Sequence, residues 1–290
     1  MSEKIKKEIQ TILAEKIGAI TVENIAPVGG GCINETAKIT TNQGLFFAKR
    51  NNAKQYPKML EAEAKGLQLL KDTSEIKTPE VIAQKIINNT QYLILECIES
   101  RGMSKNFWND FGKSLAKLHR HSAEKFGLDH PNYIGSLSQS NCQHSSWNEF
   151  FILERLEPQI KMAIDSKQIN QSANQRFHKL FSQLETIFPI EKPSLLHGDL
   201  WNGNYLIGSK GEPCIIDPAV YFGHREMDMG MTKLFGGFTS EFYQSYNEEF
   251  SLEKDWQERT GICNLYPLMV HVNLFGGGYA MQVDSILRQF

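Results

Sequence analysis

The stretch LLHGDLWNGNYLI, residues 195–207, sets His197, Asp199, Asn202 and Asn204 close together, with Trp201 among them, between two apolar flanks. A run that only filled a core would not carry so many polar groups, because each one taken out of water needs a partner. Past the second flank come the turn-like GSKGE, the short apolar CII and then Asp217. The segments 204–207 and 214–216 read as the two arms of a hairpin. A polar turn, a tight hairpin and an aspartate, in that order, is a specific arrangement, and the rest of the fold has to accommodate it.

Upstream the chain changes character once. MSEKIKKEIQTILAEKIG is charged throughout, with Ile5, Ile9, Ile12 and Leu13 at helical spacing, which predicts an amphipathic helix and not a secretory leader. Residues 22–50 predict β structure around the turn-like GGGC and TTNQG; MLEAEAKGLQLLKD predicts a helix with Leu60, Ala64, Leu67 and Leu70 on one side; VIAQKII and YLILECI predict two more strands. From Lys105 the segments 106–121, 147–167, 171–188, 226–249 and 254–270 predict helices, and 129–146 predicts a long polar loop. The fold class expected is α+β and two-lobed, with a small β-rich N-lobe over 1–98 and a larger, mainly helical C-lobe over 99–290. At 290 residues there is ample material for both cores.

Charge and cysteine usage exclude several functions. A net charge of −2 offers no basic field for nucleic acid. No apolar run approaches the ~18 residues of a membrane span. The five cysteines are scattered without a C-x-x-C pair, which predicts neither a disulfide framework nor a zinc site and favours a reducing cytoplasm. The expectation is a cytoplasmic protein without nucleic-acid or membrane partners, a monomer, with a dimer left open.

The chemistry these parts suit is phosphoryl transfer from ATP, which needs donors for the phosphates, a cation on oxygen ligands and a carboxylate aligned with the attacking hydroxyl. In VGGGCINET (28–36), Gly29, Gly30 and Gly31 let backbone N–H groups approach phosphate, with Cys32 beside them; a plain hairpin turn would read the same. Lys49, ending the apolar LFFAKR, is placed to reach the α/β-phosphates, or else is a solvated strand-end lysine. Glu63 precedes Leu67 by four and Leu70 by seven, so it shares their inward face and needs a partner, for which Lys49 is the candidate; Glu61 points elsewhere. His197-Gly198-Asp199-Leu200 followed by Asn204 has the spacing of the kinase catalytic loop H-R-D-L-x-x-x-N, with Gly for Arg. Asp199 would orient or deprotonate the substrate hydroxyl, while Asn204 and Asp217, the latter in the place of the D-F-G aspartate, would hold Mg²⁺.

The combination closely resembles the fructosamine kinase (ketosamine 3-kinase) family, within the aminoglycoside phosphotransferase-like branch of the protein-kinase fold. The matching tracts run almost end to end: VGGGCIN, FFAKR, EAEAKGL, LAKLH, NYIGSLSQSN, WNEFFILERLEPQI, HGDLWNGN, IIDPAVYFGHREMDMGMTKLFGGF and YPLMVHVNLFGGGY. HGD…N is shared by many small-molecule kinases; DPAVYFGHRE and HVNLFGG are far more specific. The resemblance implies Mg-ATP-dependent phosphorylation of a ketosamine, free or protein-bound, at the sugar O3, with decomposition of the 3-phosphate and release of the amine. It also implies adenine contacts from the backbone of Glu96 and Ile98. The rivals are an aminoglycoside or choline phosphotransferase with the same catalytic parts and a non-catalytic pseudokinase, although none of Lys49, Asp199, Asn204 or Asp217 is missing.

Trp201 follows Asp199 by two, and an indole there suits stacking on a sugar's carbon face or an amine cation, or else fills the core between helices. His271 and Asn273, in HVNLFGG, are either hydrogen-bond partners for sugar hydroxyls or satisfied buried groups. The resemblance to related phosphotransferases, in which a similar acidic residue braces the catalytic loop, implies that role for Asp228, eleven residues past Asp217, and His119 reads as structural. Cys32 is a small residue suited to a tight turn, but a thiol beside three glycine N–H groups and near Lys49 also favours the oxidisable thiolate. On that second reading peroxide inhibits ATP binding by the wild type and spares Cys32→Ala; equal inhibition of both in a nucleotide-binding titration removes the idea.

Overall fold

The computed structural model describes residues 3–29 and 33–290 and divides into two compact units, Met1–Phe107 with Leu206–Asp217, and Trp108–Tyr205 with Pro218–Phe290. The first is β-rich and the second mainly helical, as the α+β reading requires. Among the described residues no helix is long and apolar enough to cross a membrane.

In the first unit, α1 (Glu3–Ile17) precedes β1 (Val22–Val28), β2 (Glu35–Thr41) and β3 (Gly44–Asn52); then come α2 (Met59–Asp72), β4 (Val81–Ile87) and β5 (Thr90–Glu96). The strands form one antiparallel sheet in the order β1-β2-β3-β5-β4. The β4–β5 turn uses Asn88 and Asn89, both at positive φ, a conformation asparagine tolerates better than most residues. The sheet is covered on both faces, and strand parity sorts the side chains. Tyr92 and Ile94 of β5 and Phe46 and Ala48 of β3 pack with Ile9, Ile12 and Leu13 of α1. Leu93 and Leu95 point the other way, onto Leu60 and Leu67 of α2, with Phe47 packed against them. Lys49 has the parity of Phe47 and so belongs to the α2 side, the fact on which the first half of the site rests.

In the second unit, α3 (Phe107–His119) is followed by β6 (Asn132–Ile134) and β7 (Leu137–Gln139), an antiparallel hairpin inside the segment expected to be loop. The two arms are only three residues each, too short for an alternation to show in the sequence. The expected helix 147–167 is α4 (Trp147–Phe150), a π-helical stretch Phe151–Leu156 and α5 (Glu157–Asp165). Then come α6 (Gln171–Phe181), the one-turn α7 (Leu184–Ile187) and β8 (Ser194–Leu196). The chain next forms the hairpin β9 (Tyr205–Ile207) and β10 (Pro213–Ile215), which from Leu206 onward belongs to the first unit, and back in the second unit β11 (Tyr221–Gly223) pairs antiparallel with β8. The expected helix 226–249 is two, α8 (Glu226–Leu234) and α9 (Ser240–Glu249), parted where Gly236 and Gly237 take positive φ. Finally α10 (Trp256–Phe275) runs five residues beyond its expected end, and α11 (Tyr279–Leu287) was not anticipated.

Every residue of α10 from Ile262 to Val270 is buried, so this helix has no water-facing stripe and forms the axis of the second core. Charge inside the same unit is paired. Arg225 meets Glu191 through two hydrogen bonds (2.8 and 2.6 Å), and Glu226, fully buried, meets Arg259 in the same bidentate way (2.8 and 2.6 Å). Arg225 and Glu226, adjacent in sequence, can therefore both be charged and buried.

One glycine tests the helix packing. A Cβ on Gly112 of α3 would lie 2.3 Å from the Phe242 carbonyl oxygen of α9. Alanine favours a helix over glycine by about 1 kcal/mol, but overpacking against backbone costs about 1–3 kcal/mol. Gly112→Ala should lower Tm in a thermal melt; an unchanged or higher Tm contradicts this close approach.

Candidate active site

The first unit holds an ion cluster. Lys49, 4% exposed, extends from β3 on the α2 side and places Nζ 2.6 Å from Glu63 Oε1 and 2.5 Å from Asp217 Oδ1. Glu63 arrives there because it sits three residues after Leu60 and four before Leu67, both buried on the face α2 turns to the sheet. Burial alone would push the Lys49 ammonium toward the neutral form; Glu63 and then Asp217 outweigh it, and the lysine is held well above its usual range. Burial pushes the Glu63 carboxyl up, with the Lys49 charge opposing. Asp217 itself is at φ +55, an unusual backbone for a non-glycine, and half of its side chain is open to water.

The second unit holds the HGDLWNGN turn. His197 and Leu200 are fully buried and pin it from below, while Asp199 is half-buried. Two consecutive backbone amides, those of His197 and Gly198, donate to the two oxygens of Asp228, at 2.8 and 2.9 Å. His119 Nε2 lies 3.1 Å from Asp228 Oδ2 and, since a carboxylate only accepts, carries the hydrogen; its Nδ1 lies 2.8 Å from the Tyr246 hydroxyl. Burial works against the Asp228 charge, but the His119 hydrogen bond and charge, His197 and the Gly198 amide prevail, so its carboxyl is held below the usual range. Gly198 takes φ +82, and a Cβ there would lie 2.1 Å from the Ala219 carbonyl oxygen, so only glycine fits between Asp228 and Asp199.

Asn204 closes the turn. Its Nδ2 donates to the Asp199 carbonyl (2.8 Å) and to Asp199 Oδ2 (2.9 Å), which leaves its Oδ1 as the atom for a cation. Asp199 thus has one carboxylate oxygen tethered by a buried amide. Trp201 lies over Gly203, where a Cβ would come within 2.4 Å of the indole, and meets the Phe235 ring edge-on at 5.7 Å. Phe235 in turn lies 5.1 Å from the His271 ring, so Trp201 and His271 share one aromatic neighbour. His271 Nδ1 donates to the Pro267 carbonyl (2.7 Å), so in the neutral ring Nε2 is the acceptor. Asn273 is engaged elsewhere: its Nδ2 donates to the backbone and side-chain oxygens of Gln159 on α5 (3.0 and 2.8 Å).

Of the adenine candidates, the Glu96 amide donates to the Glu80 carbonyl (2.8 Å), and Ile98 follows the end of β5. Gly29 is exposed just past β1; Gly30, Gly31 and Cys32 lie outside the described residues. The structure brings together Lys49, Glu63 and Asp217 in one unit, and Asp199, Asn204, Asp228 and His119 in the other. A group with no sequence signal also surrounds the strand after Asp217. Asn132, Gln139, Asn141 and Arg155 are all buried, and their side chains meet in one hydrogen-bonded chain.

Comparison with known proteins adds an independent line. A family model described as fructosamine kinase matches residues 1–290. A protein of Enterococcus faecium named "Probable ketoamine kinase" is 37% identical over 287 residues, covering 98% of this chain and 100% of that one. The chloroplastic protein-ribulosamine 3-kinase of Arabidopsis thaliana is 36% identical over 278 residues, covering 94% of this chain and 84% of that one. A crystal structure from Thermobifida fusca, provisionally a fructosamine-3-kinase, superposes with a TM-score of 0.88 at 30% identity, covering 97% of each chain. An aminoglycoside phosphotransferase, APH(4)-Ia, in complex with AMP-PNP and hygromycin B gives a TM-score of 0.62 at 14% identity over 97% of this chain and 98% of that one, a likeness of fold alone.

Asp228→Asn keeps the shape but weakens the acceptor for two amides and an imidazole. Loss of a buried charged partner costs about 3–5 kcal/mol, and calorimetry should show a loss of that order. Because the folded carboxyl lies below its unfolded value, its contribution is full above the unfolded range and is lost as pH falls through the folded value. The wild type should lose stability along that acid limb and Asp228→Asn should show a flatter one; identical acid limbs contradict the brace.

Proposed function

Because this chain belongs to the fructosamine kinase family, we propose that it transfers the γ-phosphoryl group of ATP to the sugar O3 of a ketosamine, free or protein-bound. The single observation that carries the chemistry is the Asp199–Asn204 contact. A carboxylate fixed in direction by a buried amide is what a hydroxyl nucleophile needs in order to be aligned and relieved of its proton. The relatives' names supply the substrate class, a ketoamine or ribulosamine.

Each residue then has a task. Asp199 orients the acceptor hydroxyl and takes its proton as the O–P bond forms. Lys49, kept charged by its two carboxylates, holds the α/β-phosphates, and Glu63 fixes its direction. The sequence Gly29-Gly30-Gly31-Cys32 supplies backbone N–H groups for the phosphates, and the backbone at Glu96 and Ile98 receives adenine. Asn204 and Asp217 would hold Mg²⁺, since both offer oxygen donors, the kind that suits this ion. When bound, that ion neutralises charge building on the β- and γ-phosphates. Trp201 and His271 line the acceptor side, the indole offering a flat face to the sugar and Nε2 of His271 accepting from a hydroxyl. Asn273, held to Gln159 through Nδ2 and with its Oδ1 buried, shapes this wall from behind. The expected setting is the cytoplasm.

The product explains itself chemically. A phosphate on C3 stands next to the C2 carbonyl, so enolisation toward C1 expels it as inorganic phosphate and leaves a C1 imine, and water hydrolyses that imine to free the amine and a deoxydicarbonyl sugar.

ATP consumption with Mg²⁺ should be stimulated by fructosyl-lysine or ribulosyl-lysine, with loss of the sugar adduct over time, and not by kanamycin or choline. Stimulation by kanamycin or choline alone would overturn the substrate. Asp199→Asn should lower kcat by about 10²–10⁴-fold, the usual range for removing a general base, while Mg-ATP still binds; retained turnover removes the role of Asp199.

A further inference from the structure

The hairpin β6–β7 brings together three carboxamides that no step above uses. Gln139, Asn132 and Asn141 are 2%, 5% and 3% exposed. Three buried amides in one place are costly unless every donor and acceptor is matched. Here each amide has only one orientation that matches.

Two donors feed the group from its ends. The Tyr266 hydroxyl, on α10, donates to Gln139 Oε1 at 2.6 Å. The Arg155 guanidinium, turned inward by the π-helical stretch, donates to Asn141 Oδ1 at 2.7 Å. With those oxygens engaged, the nitrogens face the other way. Gln139 Nε2 donates to Asn132 Oδ1 (2.7 Å) and to the Ala219 carbonyl (3.2 Å). Asn141 Nδ2 donates to Asn132 Oδ1 (3.0 Å) and to the His130 carbonyl (3.1 Å). Asn132 Oδ1, doubly engaged, leaves its Nδ2 for the Val220 carbonyl at 2.8 Å. Turning any one amide over would set oxygen against oxygen.

Arg155 is held without a carboxylate. Its hydrogen bonds go to the carbonyls of Ser140 and Glu154 and to Asn141, and its guanidinium lies over the Tyr221 and Phe150 rings at 4.0 and 4.4 Å. A full charge in a core without a counter-charge has a cost that packing alone does not require, and here it fixes the direction of the whole chain of amides.

That chain ends on the carbonyls of Ala219 and Val220. The Ala219 amide donates to the His197 carbonyl at 2.9 Å, and two residues on Tyr221 pairs with Leu196. The segment entering the catalytic turn is therefore bonded directly to the segment the amides hold. We propose that Gln139, oriented by Tyr266, is a positioning residue for phosphoryl transfer: it fixes the Ala219 carbonyl and, through the Ala219 amide, the backbone that presents Asp199. The proposal rests on the assignment of Asp199 as the group that aligns the hydroxyl.

The test is Gln139→Glu, which keeps the size and the acceptor for Tyr266 but sets a carboxylate oxygen against Asn132 Oδ1 and the Ala219 carbonyl. Tyr266→Phe, which removes one hydroxyl, carries the same test should the buried carboxylate prevent folding. Misplacement by about 1 Å can cost on the order of 10²-fold in rate. Each variant should lose at least about tenfold in kcat, with KM for ATP and for the ketosamine within about threefold of wild type and with the ADP-induced rise in Tm retained. In the double variant the two losses should not multiply, because the residues act in one chain. Unchanged kcat in the folded variants overturns the proposal, as does a fall in kcat matched by an equal fall in folded fraction. ATP hydrolysis with water as acceptor, followed in the same samples, separates this outcome from the substrate assignment. If the wild type ignores ketosamines but the variants still slow hydrolysis, the substrate is wrong and the positioning stands.

Discussion

A buried carboxylate that receives two successive backbone amides is the interaction on which the second unit's machinery depends. The amides of His197 and Gly198 cannot serve a regular helix or sheet while the chain makes its turn toward Asp199. Asp228 accepts both, and His119 shares Oδ2 with the His197 amide. The cost of taking Asp228 out of water is met by three donors, one of them able to carry charge. The reward is a turn with a single shape: Gly198 is pressed against the Ala219 carbonyl, Leu200 is sealed into the core, and Asn204 is brought back onto Asp199.

The first unit solves a related problem with the opposite sign. An ammonium at 4% exposure would lose its charge if it stood alone, and two carboxylates keep it. Much of this half was legible in the sequence. Strand parity puts Lys49 with Phe47 and not with Ala48, and helical spacing puts Glu63 with Leu60 and Leu67, so the two had to face each other across one layer of packing. The α+β division and the strands and helix of the first hundred residues were legible for the same reason, since each carries an apolar pattern of one clear period.

What escaped has a physical cause in each case. The arms of β6–β7 are three residues long, and their partners are side-chain amides that read as loop polarity. The π-helical widening at 151–156 leaves no trace in a pattern judged at 3.6 residues per turn, so Arg155 looks like a surface residue although it is fully buried. The break at 235–239 is set by backbone at Gly236 and Gly237, against a helical pattern that runs on through both sides. The α10 helix runs on to Phe275 with Pro267 inside it, and the Pro267 carbonyl is taken by His271 four residues on. In the site itself, the carboxylates and the lysine could be found from spacing and Asp228 from the resemblance, whereas the buried amides of Asn132, Gln139 and Asn141 could not.

The β-rich unit is not one stretch of chain. Lys49 and Asp217 are 168 residues apart, and the segment 206–217 returns to lie with residue 77 of the same unit, where Ile215 donates to the Lys77 carbonyl. On a ribosome, which releases the chain from its N-terminus onward, the five-stranded sheet can be complete while Lys49 still has only Glu63. One carboxylate must then balance a buried ammonium until residue 217 has emerged. The nascent N-terminal half is for that interval a folded sheet with an unfinished charge cluster, and its last contact arrives only after most of the helical unit has been synthesised.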